Sequence, residues 1–259
     1  MKGKDGRRVT GIGGLLFKAF PRRELRLRPV WLDHGKTLIL LLASVVAVTA
    51  NTQNKIDKEP IRYVAMGDSY SIGEGASPNE SWPALLTRHL NDKGFQVELV
   101  ANPSVTGWTT QEAIDRELPI FIQSKPNFAT LQIGVNDWVQ GIDETTFRKH
   151  FTFLLNQMLE VLPNKSRLLI VTIPDFGVTP TGPTYSRGRK ISEGVASFNK
   201  IITEESTKRG LPVVDVFELS KKMGSDRSLV AADGLHPSAK EYAEWEKIIF
   251  PAALELLRK

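Results

Sequence analysis

The sequence predicts an α/β fold: a parallel sheet of about five strands with helices on both faces. Two observations carry this. From Ile61 onward, five short apolar runs alternate with segments of helical period. The connections between successive runs are long enough to hold a crossover helix, which parallel strands need and antiparallel hairpins do not.

"IRYVAM" from Ile61 is the first strand, and Trp82, Leu85, Leu86 and Leu90 then share one helix face. "FQVELVA" is the second strand. Thr109 to Leu118 opens with a capping-box Thr and Glu and reads as a short helix. "FATLQIG" is the third strand, and Asp143 to Leu162 is a long amphipathic helix stopped by Pro163. "RLLIVTIP" is a fourth strand, apolar enough to be covered on both faces. Ile191 to Arg209 is a helix closed by Gly210, "LPVVDV" is the fifth strand, and Ser238 to Leu257 is a last helix with a bend expected near Pro251.

The hydrophobic content of 41% and charged content of 24% are those of a globular protein, and the absence of cysteine excludes disulfides and thiolate metal sites. The net charge of +5 is misleading. Residues 1–36 hold ten Lys or Arg against three Asp or Glu, and residues 37–50 hold none, so residues 51–259 carry −2. The body therefore lacks the basic face that nucleic-acid binding requires. "TLILLLASVVAVTA", residues 37–50, is shorter than the roughly 20 residues of a spanning helix and ends in small residues. With the basic stretch before it, this run reads as an export signal, either cleaved or kept as a membrane anchor. Residues 51–60 read as a polar linker to a domain spanning 61–259. A monomer is expected.

In a parallel α/β sheet, functional groups gather past the carboxyl ends of the strands. There lie Gly67-Asp68-Ser69, then Gly107, then Gly134, Asn136 and Asp137, then "PDFGVTPTG", and finally Asp233 and His236. Ester hydrolysis needs a nucleophile, a base, a group that orients the base, and donors for an oxyanion. Ser69 fits the nucleophile, His236 the base, and Asp233 the orienting group three residues away. The backbone N–H groups of Ser69 and Gly107 and the amide of Asn136 fit the donors. Taken alone, Ser69 is as readily a helix cap as a nucleophile.

"GDSYS", the lone Gly107, "GVND" and "DGLHP" resemble, in order, the four blocks of the GDSL or SGNH hydrolases. The leucine of the family signature is Tyr70 here. "GDSYSIGEG…WPALL" and "DGLHPS…YAEW" look most like bacterial lysophospholipase-like and acyl-thioesterase-like members. The resemblance covers about residues 61–258. It implies a flavodoxin-like three-layer sandwich and a serine esterase or lipase that needs no metal or cofactor and acts on small-molecule, lipid or glycan esters.

Other residues carry competing readings. Ser71 is a rival nucleophile without the Gly-Asp entry. Asp68 is expected to order its turn and Asp137 to form an Asx turn. His89 and His150 are expected to be solvated on helices, and His34 lies in the leader. A metal site usually needs a third protein ligand and no other histidine accompanies Asp233 and His236, which argues against one. Glu74 with Asp68 could form a glycosidase pair, but nothing supplies the opposing wall of a sugar cleft. Trp108, Trp138, Phe176 and Tyr185 are expected to line an acyl or aryl pocket, against the alternative that each is core. Two further functions compete with general ester hydrolysis: O-acetyl hydrolysis or acyl transfer on surface glycans, and non-catalytic surface binding.

Overall fold

A computed structural model describes residues 60–259. The basic segment 1–36, the apolar run 37–50 and all but the last residue of the linker 51–60 lie outside the described residues.

Five parallel strands form one sheet in the order β2-β1-β3-β4-β5: Ile61–Gly67 (β1), Val97–Ala101 (β2), Phe128–Gln132 (β3), Leu168–Val171 (β4) and Val213–Val214 (β5). β1 and β3 take the middle because they can be buried on both faces. Tyr63, Val64, Ala65 and Met66 are all inaccessible, and Tyr63 pairs with Leu99 of β2 and Phe128 of β3. The one polar atom this places in the core is answered, since the Tyr63 hydroxyl and Thr130 Oγ1 lie 2.8 Å apart.

Two layers of helices cover the sheet. Trp82–Asp92 packs against the C-terminal helix Ala239–Arg258 in one layer. In the other, Glu144–Val161 packs against both Ile191–Thr207 and Leu118–Ser124. Asp143 caps Glu144–Val161 by accepting from the N–H groups of Thr145 and Thr146, both at 3.0 Å. Phe147 and Phe198 stack with centroids 4.4 Å apart between two of these helices. The buried Glu205 ties the same two helices through Arg148 at 2.5 Å, and Arg209 donates to Asn156 at 2.9 Å.

Two elements depart from the sequence reading. The helix expected over 109–118 runs from Thr110 to Ser124 and includes a π-helical turn at Ala113–Glu117. Pro119 follows that turn; it has no N–H to donate, and its ring would crowd the carbonyl four residues back in a regular helix. β5 shrinks to two residues because Pro212 cannot donate before it. After it, the Asp215 side chain turns to accept from Thr172 Oγ1 and Phe217 N, each at 2.8 Å. The last helix, expected over 238–257, spans Ala239–Arg258 and runs on through Pro251, which lies on an exposed face. Among the described residues, no helix is long and apolar enough to cross a membrane.

In this strand order, the chain leaves β1 toward one side of the sheet and β3 toward the other. A crevice therefore opens beyond their carboxyl ends, and Ser69 and Asn136 stand at that switch point.

Candidate active site

β1 ends at Gly67, and Asp68 caps a single helical turn, Ser69–Ile72, by accepting from Tyr70 N at 3.1 Å. The turn is braced from behind, where Glu117 Oε2 accepts the Gly67 N–H at 3.0 Å. Burial, reinforced by the Asp137 carboxylate, pushes Asp68 up to about 8, and burial does the same to Glu117. Ser71 turns inward: it is fully buried and its hydroxyl donates to Met66 O at 3.4 Å. That leaves Ser69, 4% exposed, as the serine that meets the crevice.

Asp233 organises the last loop. Its Oδ1 accepts from Leu235 N at 2.8 Å and His236 N at 3.0 Å, and its Oδ2 lies 2.6 Å from His236 Nδ1. Partial burial opposes its ionisation, but these three bonds outweigh it and hold the carboxyl below its usual range. An ionised carboxylate only accepts, so Nδ1 carries the imidazole hydrogen and Nε2 keeps a lone pair. Nε2 can therefore take a proton. Ser69 and His236 line one cavity of about 50 Å³.

A third segment is tied to the helix Val135–Gln140 that follows β3. Asn136 Nδ2 donates to Trp108 O at 2.9 Å, and Gln140 Nε2 donates to Gly107 O at 3.3 Å. Gly107 sits at φ +84°, a left-handed conformation that suits glycine. Asn136 lines the cavity, whereas Gly107, in an exposed turn, does not. Asp137 does not form the expected Asx turn. It is fully buried and accepts from both the N–H (2.9 Å) and the hydroxyl of Thr110. Burial pushes it up to about 6.

Of the four expected pocket aromatics, Phe176 and Tyr185 line the cavity, with Tyr70, Val135, Val139 and Leu235. Trp108 and Trp138 do not. Trp138 is packing: it is 4% exposed, its ring meets Phe176 edge-on at 5.9 Å, and the Arg189 guanidinium lies 3.9 Å from the ring centre. Arg189 also donates to the carbonyls of Trp138 and Val139, at 2.6 and 3.0 Å, fastening the long 174–190 connection over the site. A larger open groove of about 650 Å³ beside β5, lined by Asn199, Lys200, Asp215 and Glu218, contains no such serine and histidine.

Sequence reasoning missed Glu74 as a neighbour of His236. Its Oε2 accepts from Thr106 Oγ1 and lies 3.9 Å from His236 Nε2. Glu74, Asp233 and His236 each offer a ligand atom within 4.8 Å of the others, so the third ligand judged missing is supplied by the fold. Asp233 Oδ2 is already engaged by Nδ1, however, and an ion drawing on it would undo the bond that orients the imidazole. The other two described histidines are not simply solvated. His89 Nδ1 lies 2.9 Å from the buried Glu246, and His150 Nδ1 lies 3.3 Å from Thr110 Oγ1.

The sequence pattern of the GDSL-like lipase/acylhydrolase family matches residues 65–243. The chain is 32% identical over 205 residues to Thioesterase 1/protease 1/lysophospholipase L1 of Escherichia coli K12, covering 79% of this chain and 84% of that protein. It is 23% identical over 218 residues to Esterase TesA of Pseudomonas aeruginosa, covering 84% of this chain and 98% of the relative. Among solved structures, a crystal structure of TesA superposes with a TM-score of 0.61 at 21% identity, over 75% of this chain and 99% of the other. A family 3 carbohydrate esterase of Clostridium thermocellum does so with a TM-score of 0.61 at 20% identity, over 77% and 98%. At these identities the two superpositions speak for the fold alone.

Proposed function

The chain belongs to the GDSL-like lipase/acylhydrolase family and is a hydrolase acting on esters, and from that premise we propose an exported serine esterase for short-chain carboxylic esters, working through an acyl-enzyme on Ser69. The Ser69 hydroxyl attacks the ester carbonyl while His236 Nε2 takes its proton. Asp233 holds the imidazole in the tautomer this requires and offsets the charge it gains. The N–H groups of Ser69 and Gly107 and the Asn136 amide receive the oxyanion. When the tetrahedral adduct collapses, the alcohol leaves with the proton from Nε2. Water then repeats the sequence on the acyl-serine and releases the acid.

The observation that carries this reading is the 2.6 Å contact of His236 Nδ1 with Asp233 Oδ2, made by a histidine that shares its cavity with Ser69. A cavity of about 50 Å³ has room for only a few water-sized groups. That favours an acetyl or propionyl group over a fatty chain. The same smallness supports a second reading, an O-acetylesterase or acyltransferase on cell-surface glycans. Acetate release from acetylated glycans, set against fatty-acid release from lysophospholipid, separates the two.

The test is a series of p-nitrophenyl esters from acetate to decanoate. Turnover should peak at the short end and vanish in Ser69→Ala with the melting curve unchanged. A Ser69→Ala enzyme as fast as the parent would overturn the mechanism, and absence of labelling by a fluorophosphonate would favour a binding protein. Export rests on the basic and apolar leader, with membrane contact through residues 37–50 if they are retained and the catalytic domain over 61–259. N-terminal sequencing of the mature protein tells cleavage from anchoring.

A further inference from the structure

Glu74 is held beside the reactive nitrogen of His236 by contacts to three separate parts of the chain. Its N–H donates to Ser69 O at 2.9 Å, and its carbonyl accepts from the buried Tyr242 hydroxyl at 2.8 Å. The next residue, Gly75, lies so close to the histidine loop that a Cβ there would stand 2.6 Å from Ala231 Cβ and 2.7 Å from Pro237 O. Thr106 Oγ1, from the turn that carries Gly107, then fixes the carboxylate through Oε2. Glu74 Oε1 takes part in no hydrogen bond among the described residues, and the side chain is 36% exposed, so this oxygen is open to a ligand.

We propose that Glu74, fixed by Thr106, forms a subsite for the alcohol half of the ester, one that takes a neutral alcohol with a second hydroxyl next to the ester oxygen, as in a partly acylated polyol or sugar. The inference rests on the esterase reading and adds the leaving group to it. Nε2 is the nitrogen that hands its proton to the departing alkoxide, so the alcohol oxygen must come within hydrogen-bond reach of it. Glu74 Oε2 lies 3.9 Å from Nε2, so the carboxylate, with Oε1 as its free oxygen, stands beside the carbon next to that alkoxide. Glu74 can only accept, so the group it recognises must donate, and a vicinal hydroxyl does. A phosphate or carboxylate on the alcohol would meet like charge. A plain alkyl alcohol would leave Oε1 without a partner and gain nothing from the subsite.

The test compares kcat/KM for three acetyl esters, those of glycerol, propanol and glycerol 3-phosphate, in the full chain and in Glu74→Ala. A hydrogen bond to a charged group is worth roughly tenfold or more. Glycerol monoacetate should therefore exceed propyl acetate by about that factor in the parent, with the phosphate ester the poorest of the three. In Glu74→Ala the glycerol-to-propanol ratio should fall toward one and the phosphate ester should gain on both. Thr106→Val, which releases the carboxylate but keeps its charge, should lower the same ratio and decides the matter if Glu74→Ala is inactive. A ratio unmoved in the variants overturns the subsite even if all rates drop, because Glu74 would then be serving His236 and not the alcohol. A parent that hydrolyses none of the esters overturns the esterase reading itself, and the subsite with it.

Discussion

His236 Nδ1 and Asp233 Oδ2 stand 2.6 Å apart across one tight turn, and the other oxygen of the same carboxylate holds the N–H groups of Leu235 and His236. One side chain thus shapes the loop and sets the tautomer of its histidine. Asp233→Asn separates the two tasks. The amide oxygen can keep the backbone bonds, so the fold should survive, but an amide N–H facing Nδ1 forces the hydrogen onto Nε2. We expect kcat on p-nitrophenyl acetate to fall by about 10³-fold or more, with an unchanged melting temperature. A loss below tenfold would mean that Asp233 does not orient the base.

The proposed oxyanion donors depend on a clamp between the helix Val135–Gln140 and the segment that holds Gly107 and Thr110. Asn136 and Gln140 reach the carbonyls of Trp108 and Gly107, and Asp137 grips Thr110 from the same helix. Asn136→Ala removes both a donor and a tie, and should cost about 10² to 10³ in kcat. Thr110→Val leaves the donors in place but strips the buried Asp137 of one of its partners. It should lower kcat with little change in KM and reduce stability by about 1–3 kcal/mol, read by chemical denaturation. Equal losses in kcat and in substrate affinity would argue that the clamp serves binding and not the oxyanion.

The sheet and the positions past its strands were legible because both follow from short-range pattern: apolar runs fix the strands, and topology places their ends together. The order of β1 and β3 at the switch point makes neighbours of Ser69 and Asn136, 67 residues apart in sequence. What was not legible depends on which side of a loop faces inward. Trp138 and Tyr185 are both aromatics in segments beside the site, and nothing local says that the first packs under Arg189 while the second lines the cavity. Asp137 looked like a turn residue because its partner, Thr110, is 27 residues away. Glu74 meets His236 through partners distant in sequence, with Tyr242 from the last helix pinning its backbone and Thr106 its carboxylate.

Chain-length preference should follow Tyr185 and not Trp138. Tyr185 is 39% exposed and meets Phe176 edge-on at 6.5 Å, so Tyr185→Ala opens the cavity at little cost to the core. The octanoate-to-acetate ratio of kcat/KM should rise several-fold. Trp138→Ala should instead destabilise the domain by about 3–5 kcal/mol, as the loss of a large buried side chain does. A Tyr185→Ala enzyme with the parent's ratio would show that another wall limits the acyl group.

Stability should fall as pH rises from about 4 to about 8, through the buried carboxyls behind Ser69. Asp68 and Glu117 are each pushed up to about 8 in the folded chain by burial, with neighbouring carboxylates adding to it. In the unfolded chain such groups titrate near 4. Below pH about 4 both states hold the protons, and the contribution of these groups is fully present. Between the two values the unfolded state has released protons that the folded state keeps, so raising pH favours unfolding until the folded groups ionise in turn. Carboxylates held low, such as Glu205 at about 2, act in the opposite sense, but only in acid, below their unfolded values. The melting temperature should therefore decline between pH 5 and pH 8. Glu117→Gln keeps an oxygen for the Gly67 N–H at 3.0 Å and removes one of the two titrations. Its decline over the same range should be shallower than the parent's, whatever its absolute stability. A variant that tracks the parent's slope would show that Glu117 is ionised in the folded protein at neutral pH, and that the brace behind Ser69 is a charged one.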